Sequence, residues 1–204
     1  MKIGILSGMG AAAGARMYNL IVKEYQRRGV FFDSDFPEIV IYNISPKGMD
    51  NDGICDEKLM KKELIAGLKL LNNCKVDVIV MACNTVHIYY KYLQKKSKAQ
   101  ILNIVSFAIP SEKYGVIGSR TTREYNLYGG IQVNNSQQKV INEIIGRILT
   151  GKTEKNDSKK INKIINSLFK KGARKVILGC TELPILVKRR KNIIDPLEEI
   201  LIFL

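Results

Sequence analysis

The sequence predicts an α/β fold made of two pseudo-symmetric Rossmann-like lobes, with parallel sheets and an active site in the cleft between them. Short aliphatic runs alternate with longer amphipathic stretches, which is the pattern of parallel strands flanked by helices. A buried strand followed by cysteine and short polar residues occurs twice, and the two cysteines, Cys83 and Cys180, lie 97 positions apart. A repeat of nearly half the chain indicates two similar halves.

The alternation divides the chain into six predicted strands and five main predicted helices. The strands are expected at Lys2–Ser7, Glu38–Asn43, Val76–Ala82, Gln100–Ile104, Tyr114–Gly118 and Lys175–Gly179. The helices are expected at Ala12–Arg28, Asp56–Asn73, Thr85–Lys96, Ser136–Leu149 and Asp157–Lys171, with a last short helix at Leu197–Leu204. Open α/β sheets bind ligands beyond the carboxyl ends of their strands, so the site is expected there.

The lobe boundaries follow from the polar stretch Lys95–Lys98, which we expect to link the halves. The first lobe then comprises residues 1–97 and 184–204, and the second comprises residues 98–183. Only nine residues, Val105–Lys113, separate the fourth and fifth predicted strands. A helical crossover between parallel neighbours takes about ten to twelve residues. We therefore expect a degenerate fourth strand or a trimmed second lobe.

Composition excludes several classes of protein. The chain has 204 residues, 46% of them hydrophobic, which suffices for a buried core, and no apolar run approaches the roughly 20 residues of a membrane span. The net charge of +14 comes from scattered lysine and arginine groups without a recognition motif, so no specific nucleic-acid partner is expected. The four cysteines form neither a CxxC pair nor a Cys/His cluster, which predicts a reduced, cytoplasmic protein without zinc.

The two repeated cysteines are the candidate catalytic groups. Each follows a predicted buried strand and precedes a predicted helix, where main-chain N–H groups and the positive helix end favour a thiolate. We therefore expect both to act as bases near neutral pH. The residues that follow them, Asn84-Thr85 and Thr181-Glu182, are expected to cap those helices and to hold a carboxylate. The remaining cysteines, Cys55 and Cys74, are predicted to be structural.

Two thiols without other catalytic groups fit the inversion of a stereocentre, in which one sulfur removes a proton and the other returns one to the opposite face. A cysteine hydrolase would need a histidine partner. The single histidine, His87, lies four residues after Cys83 and cannot serve Cys180. His87 itself is open to two interpretations, a packing residue or a proton relay that lines the site.

At this point the motifs resemble those of a known family. Met81–His87 and Leu178–Pro184 are similar to the two cysteine motifs of the aspartate/glutamate racemase superfamily, and the opening Ile3–Gly10, the Phe36-Pro37-Glu38 strand entry and Asp195-Pro196 support the resemblance. It implies a cofactor-independent aspartate racemase with two α/β lobes, usually a homodimer, for which glutamate is the alternative substrate. Glutamate racemases tend to carry histidine where this chain has Glu182, which favours an aspartate-type or broad-specificity member.

The resemblance also implies roles for individual residues. The catalytic pair is Cys83 and Cys180. Substrate contacts are expected from Met9, Gly10, Lys47, Asn84, Thr85, Thr122, Lys152, Thr181 and Glu182. Lys47 stands where the family often has arginine, and lysine lacks the bidentate fork that arginine offers a carboxylate.

Three alternatives stay open at the level of sequence. Gly8–Ala13 fits the G-x-G-x-x-G/A pattern, which predicts an NAD(P)-dependent oxidoreductase, although the second strand ends at Tyr42-Asn43 without the acidic residue that binds ribose. A non-catalytic amino-acid-binding protein could keep the same fold. Isomerases and decarboxylases of other carboxylic acids are the third alternative, and a decarboxylase would need only one thiol.

Overall fold

The computed structural model describes residues 1–50 and 53–204 and confirms an α/β fold with parallel sheets. The first sheet contains four parallel strands in the order β2-β1-β5-β6. These strands are β1 (Lys2–Ser7), β2 (Glu38–Asn43), β5 (Val78–Met81) and β6 (Gln100–Leu102), while β3 (Met49–Asp50) and β4 (Gly53–Ile54) form a small antiparallel pair. Helices α1 (Ala11–Arg27), α2 (Glu57–Asn73) and α3 (Tyr90–Gln94) belong to this part of the chain.

The second sheet is a smaller copy of the first. Its parallel strands are β7 (Tyr114–Gly118), β8 (Lys175–Gly179) and β9 (Ile193–Ile194), in that order. A parallel bridge from Gly115 to Ile131 stands on the other side of β7, where β2 stands in the first sheet. The second sheet is accompanied by α5 (Arg120–Glu124), α6 (Asn135–Leu149) and α7 (Asp157–Lys170). The shared strand order explains the predicted pseudo-symmetry.

The last strand of each sheet leads into a short helix. An Asn103 cap precedes α4 (Ile104–Ala108), and an Asp195 cap precedes α8 (Pro196–Glu199). The two helices pack against each other, so the two halves meet through equivalent elements. A hydrophobic cluster that contains residues of both sheets, among them Ile5 and Ile177, lies at this junction.

Two segments belong to a different sheet from the one that the predicted boundaries imply. Strand β6 follows the predicted boundary at residue 97 but pairs with β5 in the first sheet. Strand β9 lies within residues 184–204 but pairs with β8 in the second. Because β6 and β7 are in different sheets, the short Val105–Lys113 segment passes between lobes and needs no crossover helix. The assumption that these strands are neighbours was wrong.

The bounds of the long helices agree with those predicted from helical periodicity. In α1, Ala13, Met17 and Ile21 recur at a spacing of four and are buried. The predicted helix at Thr85–Lys96 differs, because its first turn is a 3₁₀ helix at Thr85–Tyr89. The predicted last helix ends at Glu199 and is followed by a 3₁₀ turn at Leu201–Phe203. No helix among the described residues is long and apolar enough to span a bilayer.

Candidate active site

A cavity of about 580 Å³ opens at the carboxyl ends of the two sheets, between the lobes. The first lobe contributes the loops that follow β1, β2 and β5, and the second contributes the ends of β7, β8 and α6. Nine of the predicted site residues line it, namely Met9, Gly10, Lys47, Cys83, Asn84, Thr85, Cys180, Thr181 and Glu182. The structure therefore brings the two repeated cysteine motifs to one cavity.

Cys83 lies two residues beyond β5 and is 4% exposed. Burial raises the pKa of its thiol to about 12, since a thiolate loses hydration in this environment. Hydrogen bonds from the main chain at Val86 and Thr85, and from the Thr85 hydroxyl, lower the pKa, whereas the charge of Glu182 raises it further. Cys83 is thus a buried thiol surrounded mainly by donors.

Cys180 follows β8 directly and is 8% exposed. Its thiol donates to Glu182 Oε2 at 2.9 Å, and the Thr181 hydroxyl donates to the same oxygen at 3.1 Å. Burial, followed by the charge of Glu182 and this hydrogen bond, raises the pKa of Cys180 well above its ordinary value. Cys180 is therefore a thiol held against a carboxylate.

The prediction that a helix end beside each cysteine favours its thiolate near neutral pH was wrong, because the pKa of both thiols is raised. It relied on a helix beginning after each cysteine, but the structure has only 3₁₀ turns, at Thr85–Tyr89 and Leu183–Ile185. Neither Asn84 nor Glu182, the residues at the cap positions, makes a side-chain cap hydrogen bond. Such short turns provide little dipole to oppose desolvation.

A row of hydroxyl groups connects the two lobes beside Cys83. Thr85 Oγ1 lies 2.9 Å from Ser119 Oγ, which lies 3.0 Å from Thr122 Oγ1. The Thr122 hydroxyl donates to the carbonyl oxygen of Gly179, the residue before Cys180. Thr122 is a buried member of this row and is not among the described lining residues, contrary to the predicted substrate contact. It supports the site instead.

The glycine loop after β1 fits closely against both lobes. Gly8 has φ +106°, and a Cβ there would lie 1.8 Å from the carbonyl oxygen of Ile44. A Cβ on Gly10 would lie 2.6 Å from Leu149 Cδ2 and 2.9 Å from Glu182 Oε1. Side chains of the second lobe thus fill the space above Gly10 that a dinucleotide pyrophosphate would need. Gly8 therefore permits close packing within the first lobe, and Gly10 permits close packing between the lobes.

The two predicted substrate lysines lie in different places. Lys47 lines the cavity, and its main-chain N–H donates to Glu63 Oε1 at 2.9 Å. It is the one lysine or arginine among the described lining residues. Lys152 is exposed beyond the end of α6 and does not line the cavity. The structure does not bring Lys152 to the site.

His87 is buried and takes no part in the lining of the cavity. Its Nδ1 lies 2.8 Å from the carbonyl oxygen of Cys83, and its Nε2 lies 3.5 Å from that of Leu102. Burial lowers the pKa of His87 to about 4, so the ring is neutral at physiological pH. Of the two interpretations, the geometry favours the packing residue, which fixes the turn that carries Cys83.

The sequence did not single out several residues of the site. Ser119, at the end of β7, could have been found by the rule that places ligands at strand ends. Ile145 and Leu149 form an apolar wall at the end of α6, and only the tertiary fold brings them to the cavity. Tyr128, whose hydroxyl donates to Asn84 Oδ1, gave no local signal.

The chain is similar to known proteins in sequence and in structure. The family model described as Asp/Glu/Hydantoin racemase matches residues 6–200. The chain is 31% identical over 160 residues to a broad specificity amino-acid racemase of Bacillus subtilis, covering 72% of this chain and 70% of that protein.

Two solved structures share the fold. One is an aspartate racemase homologue of Pyrococcus horikoshii, with 25% identity, a TM-score of 0.76 and coverage of 99% of this chain and 96% of that one. The other is an aspartate racemase of Picrophilus torridus, with 22% identity, a TM-score of 0.76 and coverage of 96% and 89%.

Proposed function

Because the chain belongs to the Asp/Glu/hydantoin racemase family, we propose that it is a cofactor-independent racemase that interconverts L- and D-aspartate, with glutamate as a second substrate. The observation that carries this proposal is the meeting of Cys83 and Cys180, from opposite lobes, at one cavity. Two thiols that approach from different sides can serve the two faces of one Cα.

In the proposed reaction a Cys83 thiolate removes the Cα proton, so that the Cα–H bond breaks and an S–H bond forms. The Cys180 thiol then gives its proton to the opposite face of the carbanion, which leaves Cys180 as the thiolate. The reverse reaction exchanges these roles. Buried thiols need help to ionise, and the α-ammonium group of the substrate would supply the opposite charge that stabilises a thiolate within the cavity.

The substrate α-carboxylate would bind beside the motif that follows Cys83. The Asn84 side chain is 1% exposed, and its Nδ2 is buried with no acceptor in the described part of the chain. A carboxylate oxygen would satisfy this donor. We assign Thr85, Thr181 and the main chain near Met9–Gly10 to the same group, because all of them line the same cavity.

Lys47 is our candidate partner for the side-chain carboxylate of aspartate, since it is the cation of the described lining. Substituting Lys47 by Met should raise KM for aspartate about tenfold, as expected for a hydrogen bond to a charged group. The KM values for neutral amino acids should change little. Equal losses for charged and neutral substrates would contradict this assignment.

A second candidate is a racemase of broader substrate range. Ile145, Leu149 and Met49 give the cavity an apolar wall, which could accept an uncharged side chain. The similarity to a broad specificity amino-acid racemase agrees with this alternative.

The test is chiral analysis of products with the purified, reduced and chelator-treated protein. Both enantiomers of aspartate and of glutamate should be racemised. Racemisation of a panel of neutral amino acids at comparable rates would favour the racemase of broader substrate range. Retained binding of aspartate without inversion would instead identify an amino-acid-binding protein. Activity that appears only with added NAD(P) would favour the oxidoreductase.

We also propose a homodimer. Exposed apolar side chains occur near the edge strand β2, with Ile41 45%, Phe32 64% and Phe31 84% exposed. The rings of Phe31 and Phe32 contact each other, and an exposed apolar patch commonly marks a protein–protein contact. The molar mass in solution, measured by light scattering, should be twice that of the chain, and Phe31→Asp should reduce it.

A further inference from the structure

Tyr128 is a second-lobe residue that reaches the first lobe beneath the cavity. Its side chain is 3% exposed, and its hydroxyl donates to Oδ1 of Asn84, which is 1% exposed. Asn84 lines the cavity, whereas Tyr128 is not among the described lining residues. Tyr128 therefore reaches the cavity through the Asn84 amide.

This hydrogen bond determines which end of the amide is left without a partner beside the cavity. An asparagine side chain accepts through its oxygen and donates through its nitrogen. With Oδ1 occupied by the phenol, Nδ2 is left buried and has no partner among the described residues. Such a donor needs an acceptor, and a ligand in the cavity can supply one. The opposite orientation would direct Oδ1 toward the ligand and repel a carboxylate.

The surroundings keep the phenol protonated and in place. Burial raises the pKa of Tyr128 well above its ordinary value, and nearby acidic groups, Asp195 and both site cysteines, raise it further. The hydroxyl therefore remains a donor at physiological pH. The Tyr114 hydroxyl donates to the Tyr128 carbonyl oxygen at 2.6 Å, which anchors the main chain at that position.

We propose that Tyr128 is a positioning residue that orients the Asn84 amide so that Nδ2 donates to the substrate α-carboxylate. This inference rests on the proposed function, because it assumes an amino-acid substrate in the cavity. It also makes carboxylate binding depend on correct docking of the two lobes, since donor and acceptor of the orienting bond come from different halves.

The first test is Tyr128→Phe, which removes the hydroxyl and keeps the ring. KM for L-aspartate should rise about threefold to tenfold, as for the loss of one hydrogen bond, while kcat changes less than about twofold. The same rise in the dissociation constant should be seen by calorimetry. Tyr89→Phe is the matched control, because the Tyr89 hydroxyl is buried with no partner among the described residues, and its KM should be unchanged.

A double-mutant cycle separates positioning from a general structural effect. In an Asn84→Ala background, Tyr128→Phe should raise KM no further, because the amide that it orients is absent. Asn84→Asp retains the acceptor for Tyr128 but replaces the Nδ2 donor by oxygen, so KM should rise at least about tenfold. This second variant tests the orientation even where Tyr128→Phe does not fold.

An unchanged KM in Tyr128→Phe, additive effects in the cycle, or wild-type KM in Asn84→Asp would each overturn the inference. Failure of the wild-type protein to racemise or bind any amino acid would overturn the proposed function instead. The two failures are thus distinguished by the wild-type measurement.

Discussion

The two cysteines occupy equivalent places in the two lobes but have different neighbours. Cys83 is approached by donors, the main chain at Thr85 and Val86 and the Thr85 hydroxyl. Cys180 itself donates, to the carboxylate of Glu182 at 2.9 Å. The first set of contacts favours a thiolate and the second favours a thiol. Pseudo-symmetry has therefore duplicated the position of the sulfur without duplicating its hydrogen-bond partners.

This difference indicates how a two-thiol racemase could begin with one proton rather than two. We infer that the proton is retained preferentially at Cys180 and that Cys83 ionises first when the substrate ammonium group enters. The difference predicts that changes on the two sides move thiol reactivity in opposite directions. The following variants test this comparison, in order of decreasing effect on activity.

Glu182→Gln should have the largest effect of the three. It removes the charge and the carboxylate acceptor that raise the pKa of Cys180, so the pKa falls and alkylation of Cys180 at a fixed pH becomes faster, on the order of tenfold. Racemisation should fall on the order of 10²-fold, because Cys180 loses the hydrogen-bond acceptor that holds its thiol in position. Mass spectrometry of alkylated peptides measures the first effect, and exposed Glu143→Gln is the control. Slower alkylation of Cys180 would contradict the assignment.

Thr85→Val should act in the opposite direction on Cys83. The Thr85 hydroxyl lowers the pKa of Cys83, so its removal raises the pKa and slows alkylation of that residue. We expect kcat/KM to fall about tenfold, the value of one hydrogen bond to a charged group. Thr153→Val, at an exposed position, provides the comparison. Faster alkylation of Cys83 would show that the surroundings of Cys83 and Cys180 do not differ as described.

Of the three variants, His87→Gln should have the smallest effect on activity. It should have the largest effect on the pH dependence of stability. Burial lowers the pKa of His87 from its ordinary 6.5 to about 4 in the folded protein, so the stabilisation is present above pH 6.5 and is lost as the pH falls through 4. This difference corresponds to about 3 kcal/mol. Chemical denaturation across this range should give a flatter profile for the variant. A large loss of kcat at neutral pH would restore the proton-relay interpretation.

The sequence carried enough information for the fold class and for nine residues that line the candidate site. Periodicity identified the long helices, and the repeated strand–cysteine pattern predicted that both motifs would lie at one cavity. It did not show which sheet contains β6 and β9, because pairing of a short strand is decided by tertiary contacts. It also overestimated the turns after the cysteines, since an apolar pattern does not distinguish α from 3₁₀ geometry.

Protonation was the property least accessible from the sequence. The prediction that helix ends favour the thiolate form of both cysteines left out the cost of desolvation. That cost depends on burial by both lobes. Glu182, whose carboxylate accepts the hydrogen bond from Cys180, lies only two residues further along the chain. The orientation of this carboxylate nevertheless depends on its packing over Gly10. Tyr128 is a further example, because its partner lies 44 residues away in sequence and in the other lobe.

The central claim is tested most directly by reaction of L-aspartate in deuterium oxide with the wild-type protein, Cys83→Ala and Cys180→Ala. At early times the wild type should place deuterium at Cα of newly formed D-aspartate, while the remaining L-aspartate stays unlabelled. Both alanine variants should lose inversion, and Cys55→Ala should retain it. Inversion that persists without Cys83 or without Cys180 would contradict the two-thiol account.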